Sequence, residues 1–160
     1  MPEPLPIVQK LSREAEALKH ELHHVLPKVI ETAREHGDLK ENAEYHAAKE
    51  RQGMVSARLG SIEYRLSELA RYNLASIPRG AAGYGSIVEL EDLDTEVQVR
   101  YELSFAEEVD AGAGRVSLTS PVGQAMLNKK VGDEITITLP SGKKQYEILS
   151  ISTIHDRPPA

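Results

Sequence analysis

The apolar residues in the first half of the chain recur at alternating intervals of three and four. The first such seam comprises Val8, Leu11, Ala15, Leu18, Leu22, Val25 and Val29. A second seam comprises Tyr45, Ala48, Gln52, Val55, Leu59, Ile62, Leu66 and Leu69. This spacing is typical of helices that pack lengthwise against one another. It predicts two long helices that form an antiparallel coiled coil.

Between the two seams lies a turn signal, His36-Gly37-Asp38. Gly37 can take the left-handed conformation that ends a helix, and Asp38 can cap the helix that follows. The chain is therefore expected to reverse direction there and to form a helical hairpin. Pro27 lies inside the first helix, where its missing N–H removes the bond to the carbonyl of His23, so we expect a bend.

After residue 75 the pattern changes. Residues 76–84 contain one proline and two glycines and predict a linker. Beyond them an apolar period of two predicts strands at 85–91, 96–103, 115–119, 134–139 and 145–154, with a short helix from Ser120-Pro121 to about Leu127. The predicted fold is α+β, with an N-terminal coiled-coil hairpin over 1–75 and a small β-rich domain over 85–160.

Composition and charge exclude several classes of protein. The 160 residues include 19 basic and 25 acidic side chains, and the net charge of −6 disfavours non-specific binding to duplex DNA through a broad positive surface. The absence of cysteine excludes disulfides, thiol catalysis and Cys-ligated zinc. No apolar run approaches the roughly 20 residues of a membrane helix, and the first residues lack a signal-peptide profile. We expect a cytoplasmic protein that does not associate with membranes.

The densest set of carboxylates on the hairpin lies around its turn, where Asp38, Glu41 and Glu44 recur every three residues. One interpretation is structural, because Asp38 and Glu41 have the spacing of a capping box. The other is chemical, because Mg²⁺ binds one or two carboxylates together with phosphates and waters. A pair that is too weak to hold the ion alone can complete a site whose other ligands come from a partner. Spacing alone leaves both interpretations open.

The segment HGDLKENAEYHAAKE, residues 36–50, closely resembles the tip motif of the bacterial transcript cleavage factors, the GreA/GreB family, and is nearer the GreA form. Three shorter runs of the second half also match the family: SPVG at 120–123, KVGDE at 130–134 and PSG at 140–142. The resemblance covers most of the chain. It implies an FKBP-like fold for residues 85–160.

The resemblance also implies a function and a partner. In the family, the hairpin enters the secondary channel of RNA polymerase, where two tip acids help to hold a second Mg²⁺ and its water at the polymerase active site. By position these acids are Asp38 and Glu41. The polymerase then cleaves its own backtracked nascent RNA through a two-metal site. The chain would stimulate this cleavage without being an enzyme itself, and would share the Mg²⁺ with the polymerase rather than bind it stably alone.

Family members carry a basic patch on the arm that contacts the RNA 3′ end. The matching candidates are Arg34, Lys40 and Lys49, with Arg51 and Arg58 further along the arm. For each of them, a solvated helix face with partners three or four residues away is an alternative.

In the family, the C-terminal domain grips the coiled-coil rim of the polymerase channel. Ser120 and Pro121 are candidates for that surface, although a capped structural helix explains the same two residues.

Other functions compete with this one. The run His20-Glu21-Leu22-His23-His24 satisfies the zinc-protease pattern HExxH, although Leu22 belongs to the seam and no third ligand follows. An FKBP-like fold would also suit a prolyl isomerase, with Tyr84, Tyr101, Phe105 and Tyr146 as the available aromatic residues.

The main rival is a non-cleaving Gre-like protein that occupies the channel and inhibits the polymerase. Such relatives typically alter the acidic tip, whereas Asp38 and Glu41 are both present here. A purely structural adaptor that binds through the coiled coil is a third class, and it predicts that the tip acids are dispensable.

Overall fold

The computed structural model of the protein describes residues 4–37 and 42–156. Two compact units divide the chain, Pro4–Arg71 and a second unit that comprises Tyr72 and the described residues after it. The first unit is helical and the second is built on a β-sheet. The α+β fold predicted from the sequence, a helical hairpin followed by a small β-rich domain, is confirmed.

The first unit is a hairpin of two helical arms. One arm is continuous over α1 (Pro6–His20), a π-helical turn (Glu21–Val25) and α2 (Leu26–Glu35), and the other is α3 (Ala43–Leu69). At about 1.5 Å per residue, the first arm is roughly 45 Å long. Both α1 and α2 pack against α3.

The seam of the first arm changes phase at the π-turn. Leu11 and Ala15 are buried as predicted, but Val25 and Val29 are 42% and 45% exposed, whereas Leu26 and Ile30 are buried. The prediction for Val25 and Val29 is therefore wrong. A π-turn accommodates one more residue than an α-turn, and each residue rotates the helix by about 100°, so the apolar face moves on by one position.

The π-turn lies close to Pro27, with only Leu26 between them. The N–H of Leu26 donates to the carbonyl of Glu21, five residues back, which is the π-helical pattern. Pro27 is the second residue of α2 and has no N–H to continue an α-helical ladder. The expected effect of Pro27 thus takes the form of a local widening of the helix, which is one of the recognised sites of helix distortion.

The seam of α3 keeps one phase over all 27 residues. Its buried members are Ala48, Val55, Leu59, Ile62 and Leu69. The remaining predicted members, Tyr45, Gln52 and Leu66, are partly buried. The second seam is confirmed.

The ends of the two arms differ in detail from the prediction. Helix α2 ends at Glu35 with His36 as its C-cap, and Gly37 follows with a φ of +157° rather than the left-handed helical value. Helix α3 begins at Ala43, and its N-cap is Asn42. The expectation that Asp38 caps this helix is therefore wrong, because the cap lies four residues later.

The second unit contains a five-stranded sheet. Its strands are β1 (Ile87–Asp92), β2 (Gln98–Ser104), β3 (Arg115–Ser117), β4 (Glu134–Leu139) and β5 (Gly142–Ser152), in the spatial order β3-β2-β1-β5-β4. Neighbouring strands are antiparallel except for β2 and β3. All five predicted strands are present, and the predicted short helix is α4 (Pro121–Met126).

One face of the sheet carries the core of the second unit. Val88 and Leu90 of β1 are fully buried, whereas Glu89 between them is exposed, as the period of two predicts. Helix α4 packs near β4 and contributes the buried Met126. Residues 81–86, of which the first four fall in the predicted linker, are all buried in this unit.

The length and the hydropathy of the described helices test whether one of them could cross a membrane. Among residues 4–37 and 42–156, no helix combines the length and the apolar character that crossing a bilayer requires.

Candidate functional site at the hairpin tip

One side chain joins the two arms next to the turn. The Oδ1 of Asn42 accepts a hydrogen bond from the backbone N–H of Tyr45 at 3.0 Å, which caps α3. The Nδ2 of the same side chain donates to the carbonyl of Ala33 in α2. That carbonyl also accepts from the N–H of His36 at 3.2 Å. Asn42 therefore provides a partner for one end group of each helix, an N–H in the first turn of α3 and a carbonyl in the last turn of α2.

A cationic surface lies on one side of the tip. The guanidinium of Arg34 in α2 lies over the ring of Tyr45 in α3, 5.7 Å from its centroid. Lys49 follows Tyr45 by four residues and so lies on the same face of α3, and its Nζ donates to Gln52 Oε1 at 2.9 Å. Arg34 and Lys49 are both exposed. Two of the three predicted RNA-contacting residues are thus brought to one side of the arm.

The remaining predicted tip residues, Asp38, Lys40 and Glu41, lie outside the described residues. Their neighbours along the chain are described: Gly37 follows α2, and Asn42 precedes α3. Glu44 is exposed in the first turn of α3.

Two other basic residues of the arm are already paired. Arg51 Nε and Nη2 donate to the two carboxylate oxygens of Glu21 at 2.7 and 2.8 Å. Arg58 holds Glu14 in the same way at 2.8 and 3.1 Å. These hydrogen bonds from arginine hold the pKa of Glu14 and of Glu21 below the ordinary value of 4.5. Arg51 and Arg58 therefore connect the two arms, which is a role that the sequence analysis missed.

Glu21 is also the central acid of the HExxH run. Its carboxylate is bound by Arg51, so it is not available as a general base for hydrolysis at a zinc ion. The rings of His20 and His24 lie 5.2 Å apart. In the part of the chain that the structure describes, no group of three or more His, Cys, Asp and Glu side chains is arranged to hold a metal ion.

The aromatic residues of the second unit do not surround one cavity. Tyr84 and Phe105 stack on each other with centroids 4.9 Å apart, and Tyr146 is part of the core. Tyr101 lines a different feature, an open surface cavity of about 670 Å³ beside β2. This arrangement does not favour the aromatic pocket that prolyl isomerisation would need.

Ser120 and Pro121 begin α4. The Oγ of Ser120 accepts from the N–H of Gly123 at 3.1 Å and donates to the carbonyl of Ser117 at 2.7 Å. Pro121 is exposed. The hydroxyl of Ser120 thus caps the helix, and Pro121 is the member of the pair that lies on the surface.

Comparison with known families covers both units. Residues 7–70 match the family model "Transcription elongation factor, N-terminal", and residues 77–153 match "Transcription elongation factor, GreA/GreB, C-term". The chain belongs to the GreA/GreB family of transcription elongation factors. The predicted family is therefore confirmed by two models that together span most of the chain.

Two GreA sequences agree with this assignment. Transcription elongation factor GreA of Solidesulfovibrio magneticus is 46% identical over 144 residues, which are 90% of this chain and 87% of the relative. GreA of Desulfotalea psychrophila is 45% identical over 126 residues, 79% of this chain and 78% of the relative. Among solved structures, GreA factor homolog 1 of Thermus thermophilus is 25% identical, with 91% of this chain and 94% of that chain covered and a TM-score of 0.42.

Within this GreA/GreB chain, the residue that sequence reasoning missed at the tip is Asn42. Asn is among the preferred N-cap residues, so a signal was present. It was hidden by Gly37-Asp38, a stronger turn signal four residues earlier.

Proposed function

We propose that this GreA/GreB chain stimulates RNA polymerase to cleave its own backtracked transcript. In this proposal the hairpin enters the secondary channel of the polymerase, and Asp38 and Glu41 help to hold a second Mg²⁺ there. The observation that carries the proposal is the position of the acidic motif in the sequence: Asp38 and Glu41 fall between the residues of two helical arms, one of which is about 45 Å long.

A long arm suits delivery of ligands to a buried centre. The two arms bury their apolar seams against each other, and the cross-arm pairs of Arg51 with Glu21 and Arg58 with Glu14 hold them in register. Polar residues occupy most of the exposed positions of both arms, although some large apolar side chains, such as Val29 and Met54, are exposed as well. Such an arm can carry its tip into a narrow channel without unfolding.

The proposed chemistry assigns the metal to two molecules. Carboxylates are good ligands for Mg²⁺, which commonly keeps several waters and binds one or two protein carboxylates together with phosphates. A second Mg²⁺ stabilises the charge on the phosphoryl oxygens and lowers the pKa of its bound water. The chain supplies Asp38 and Glu41 as ligands, and the polymerase and RNA supply the rest.

The cationic side of the tip suits the displaced RNA 3′ segment. Arg34 over Tyr45 and the nearby Lys49 present positive charge together with an aromatic face. This combination is typical of surfaces that bind single-stranded nucleic acid, because lysine and arginine attract phosphates and rings stack on bases. Lys40, between the two tip acids in sequence, is proposed to join this contact.

A second contact is proposed between the sheet domain and the coiled-coil rim of the channel. Pro121 is exposed at the start of α4 and can take part in it directly. Ser120 is proposed to contribute by holding the start of this helix in place through its cap.

The decisive experiment uses a stalled, backtracked elongation complex. The double variant Asp38→Asn/Glu41→Gln is expected to abolish release of short 3′ RNA fragments while it still binds the polymerase. The matched control is Glu31→Gln/Glu50→Gln, which removes two exposed acids from the same arms and should cleave like the wild type. Fragment release by the tip variant would contradict the assigned roles.

The same assay separates the rival function. A non-cleaving inhibitor of the channel predicts that the wild-type chain reduces RNA synthesis and releases no fragments from the backtracked complex. A structural adaptor predicts that the tip variant and the wild type behave alike in every assay.

A further inference from the structure

We propose that Asn42 is a positioning residue for the tip acids, and that it acts by tying the end of α2 to the start of α3. The inference rests on the proposed function for its activity measurement. It goes beyond the role of a helix cap, because the amide of Asn42 makes a second hydrogen bond that a cap does not need.

The geometry of the side chain carries this inference. An N-cap needs only an oxygen that accepts from the backbone of the first turn, and Oδ1 of Asn42 meets this need through Tyr45 N–H at 3.0 Å. The other half of the amide, Nδ2, crosses to the opposite arm and donates to Ala33. Ser and Asp are comparable caps, but an ionised Asp has no donor, and Ser has a single Oγ in place of the separate oxygen and nitrogen of the amide. Of these three cap residues, only Asn has an acceptor atom for one arm and a separate donor atom for the other.

The accepting carbonyl also has a specific location. Ala33 is buried, and its carbonyl accepts from the N–H of His36, the residue that ends α2. The C-cap of one arm, His36, and the N-cap of the other, Asn42, thus both donate to a single oxygen atom. This junction fixes the separation of the two chain positions between which the tip acids lie in the sequence.

A fixed separation matters for the proposed chemistry. A carboxylate acts on a metal-bound water only if it is held within a fraction of an ångström of its working position, and a displacement of about 1 Å can cost on the order of 100-fold in rate. Only four residues lie between Gly37 and Asn42 in the sequence, and Asp38 and Glu41 are the first and the last of them. The bridge holds the described residues on either side of this segment, His36 and Asn42, to one carbonyl oxygen.

The test compares Asn42→Ser with the wild type in the backtracked-complex assay. Ser keeps an oxygen that can cap α3 but is too short and lacks the amide donor to reach Ala33. The maximal cleavage rate at saturating protein is expected to fall by about 10- to 100-fold. The concentration that gives half-maximal cleavage, and competition with wild-type protein for the polymerase, should not change. Asn42→Asp, which keeps the cap atom in place, should lose rate in the same way.

A matched control is available in the second unit. Asn73 caps the short 3₁₀-helix Leu74–Ser76 by accepting from Ser76 N–H at 3.2 Å. The variant Asn73→Ser removes the same amide from a cap that has no connection with the tip. It is expected to cleave like the wild type.

A second measurement does not depend on cleavage. In NMR spectra of the isolated full chain, the Nδ2 protons of Asn42 should exchange with solvent more slowly than those of exposed amides such as Gln124. Far-UV circular dichroism should show the same helix content for Asn42→Ser and the wild type. Rapid exchange of the Asn42 side-chain amide protons would contradict the hydrogen bond between Asn42 Nδ2 and the Ala33 carbonyl.

The outcomes are distinguishable. Wild-type rates in Asn42→Ser, or a loss of polymerase binding in place of a loss of maximal rate, would overturn the positioning role and leave the proposed function intact. A wild-type chain that releases no RNA fragments would overturn the proposed function and the positioning role together.

Discussion

Arg51 donates two hydrogen bonds, of 2.7 and 2.8 Å, to the carboxylate of Glu21 on the opposite arm of the hairpin. One heptad away on both arms, Arg58 binds Glu14 in the same way. Exposed ion pairs contribute little stability individually, but bidentate geometry selects one register over its neighbours. The two arginines are seven residues apart on one arm, and the two glutamates are seven residues apart on the other. Both pairs therefore require the same register, and sliding the arms past each other would break both.

These pairs make the stability of the hairpin dependent on pH. The pKa values of Glu14 and Glu21 are lowered in the folded state by the arginine hydrogen bonds. A lowered carboxylate pKa contributes stability that is present above the unfolded pKa and is lost as the pH falls through the folded pKa. The thermal midpoint of the helical signal should therefore fall as the pH drops below the ordinary value of 4.5.

The control for this prediction is Glu14→Gln/Glu21→Gln. Near neutral pH it should melt at a lower temperature than the wild type, and at strongly acid pH the two should converge. Parallel curves over the whole range would show that the two pairs do not contribute.

The phase change at the π-turn predicts different costs for neighbouring residues. Ile30 is 9% exposed and Val29 is 45% exposed. Ile30→Ala should therefore lower the free energy of unfolding of the hairpin by about 2–4 kcal/mol. Val29→Ala should change it by no more than about 0.5 kcal/mol. Urea titration followed by circular dichroism measures both, and the reverse order would mean that the heptad continues without a π-turn.

Deletion of His24 combined with Pro27→Ala should be tolerated, although deletions inside helices normally are not, because the alanine restores the N–H that an ordinary α-helix needs at this position. The π-turn holds one extra residue, and removing it shortens the interval between Leu22 and Leu26 from four to three. The buried residues of α2 then continue the seam of α1 at heptad spacing with an ordinary α-helix. The expected result is an unchanged helix content.

Deletion of Ser56 is the matched control, because α3 has no extra residue to lose. It rotates half of the seam by about 100° and should lower the melting temperature of the hairpin by on the order of 10 °C or more. Equal damage by the two deletions would argue against the π-turn.

Substitution by alanine should have opposite effects on stability at two of the glycines. A Cβ on Gly123 in α4 would lie 2.0 Å from the carbonyl oxygen of Ser117, so Gly123→Ala should destabilise the second unit by about 3 kcal/mol or more. A Cβ on Gly53 in the middle of α3 meets nothing within 4 Å, and Gly53→Ala should stabilise the hairpin by about 0.5–1 kcal/mol. Thermal unfolding of the two variants tests both signs.

Arg34 should contribute to RNA retention through a salt-dependent contact that weakens as the salt concentration rises. If Arg34 contacts a phosphate, Arg34→Ala should weaken retention of the RNA 3′ segment and reduce the slope of log affinity against log salt by about one. Tyr45→Ala should have a smaller effect of the same kind, because the ring supports the guanidinium at 5.7 Å. Lys28→Ala removes an exposed positive charge from the same helix and is the control. An equal effect of Lys28→Ala would indicate that only the net charge of the arm matters.

Local patterns in the sequence were sufficient for most elements of this protein. The single-phase seam of α3, the five strands and the short helix after Ser120 follow from the spacing of apolar residues and from turn and cap residues. The motif at residues 36–50 was sufficient for the family. These features depend on neighbours within a few positions along the chain, so periodicity captures them.

Tertiary structure decided between residues that the local sequence pattern could not distinguish. Val25 and Val29 are as apolar as Leu26 and Ile30, and the choice between the two pairs depends on packing against α3 and on the missing N–H of Pro27. Asn42 became the cap and the bridge because a carbonyl of the other arm lies within its reach. Arg51 and Arg58 bind carboxylates that are 30 and 44 residues away in the sequence. Each of these outcomes depends on an atom that is distant in sequence, and its position is known only once the chain has folded.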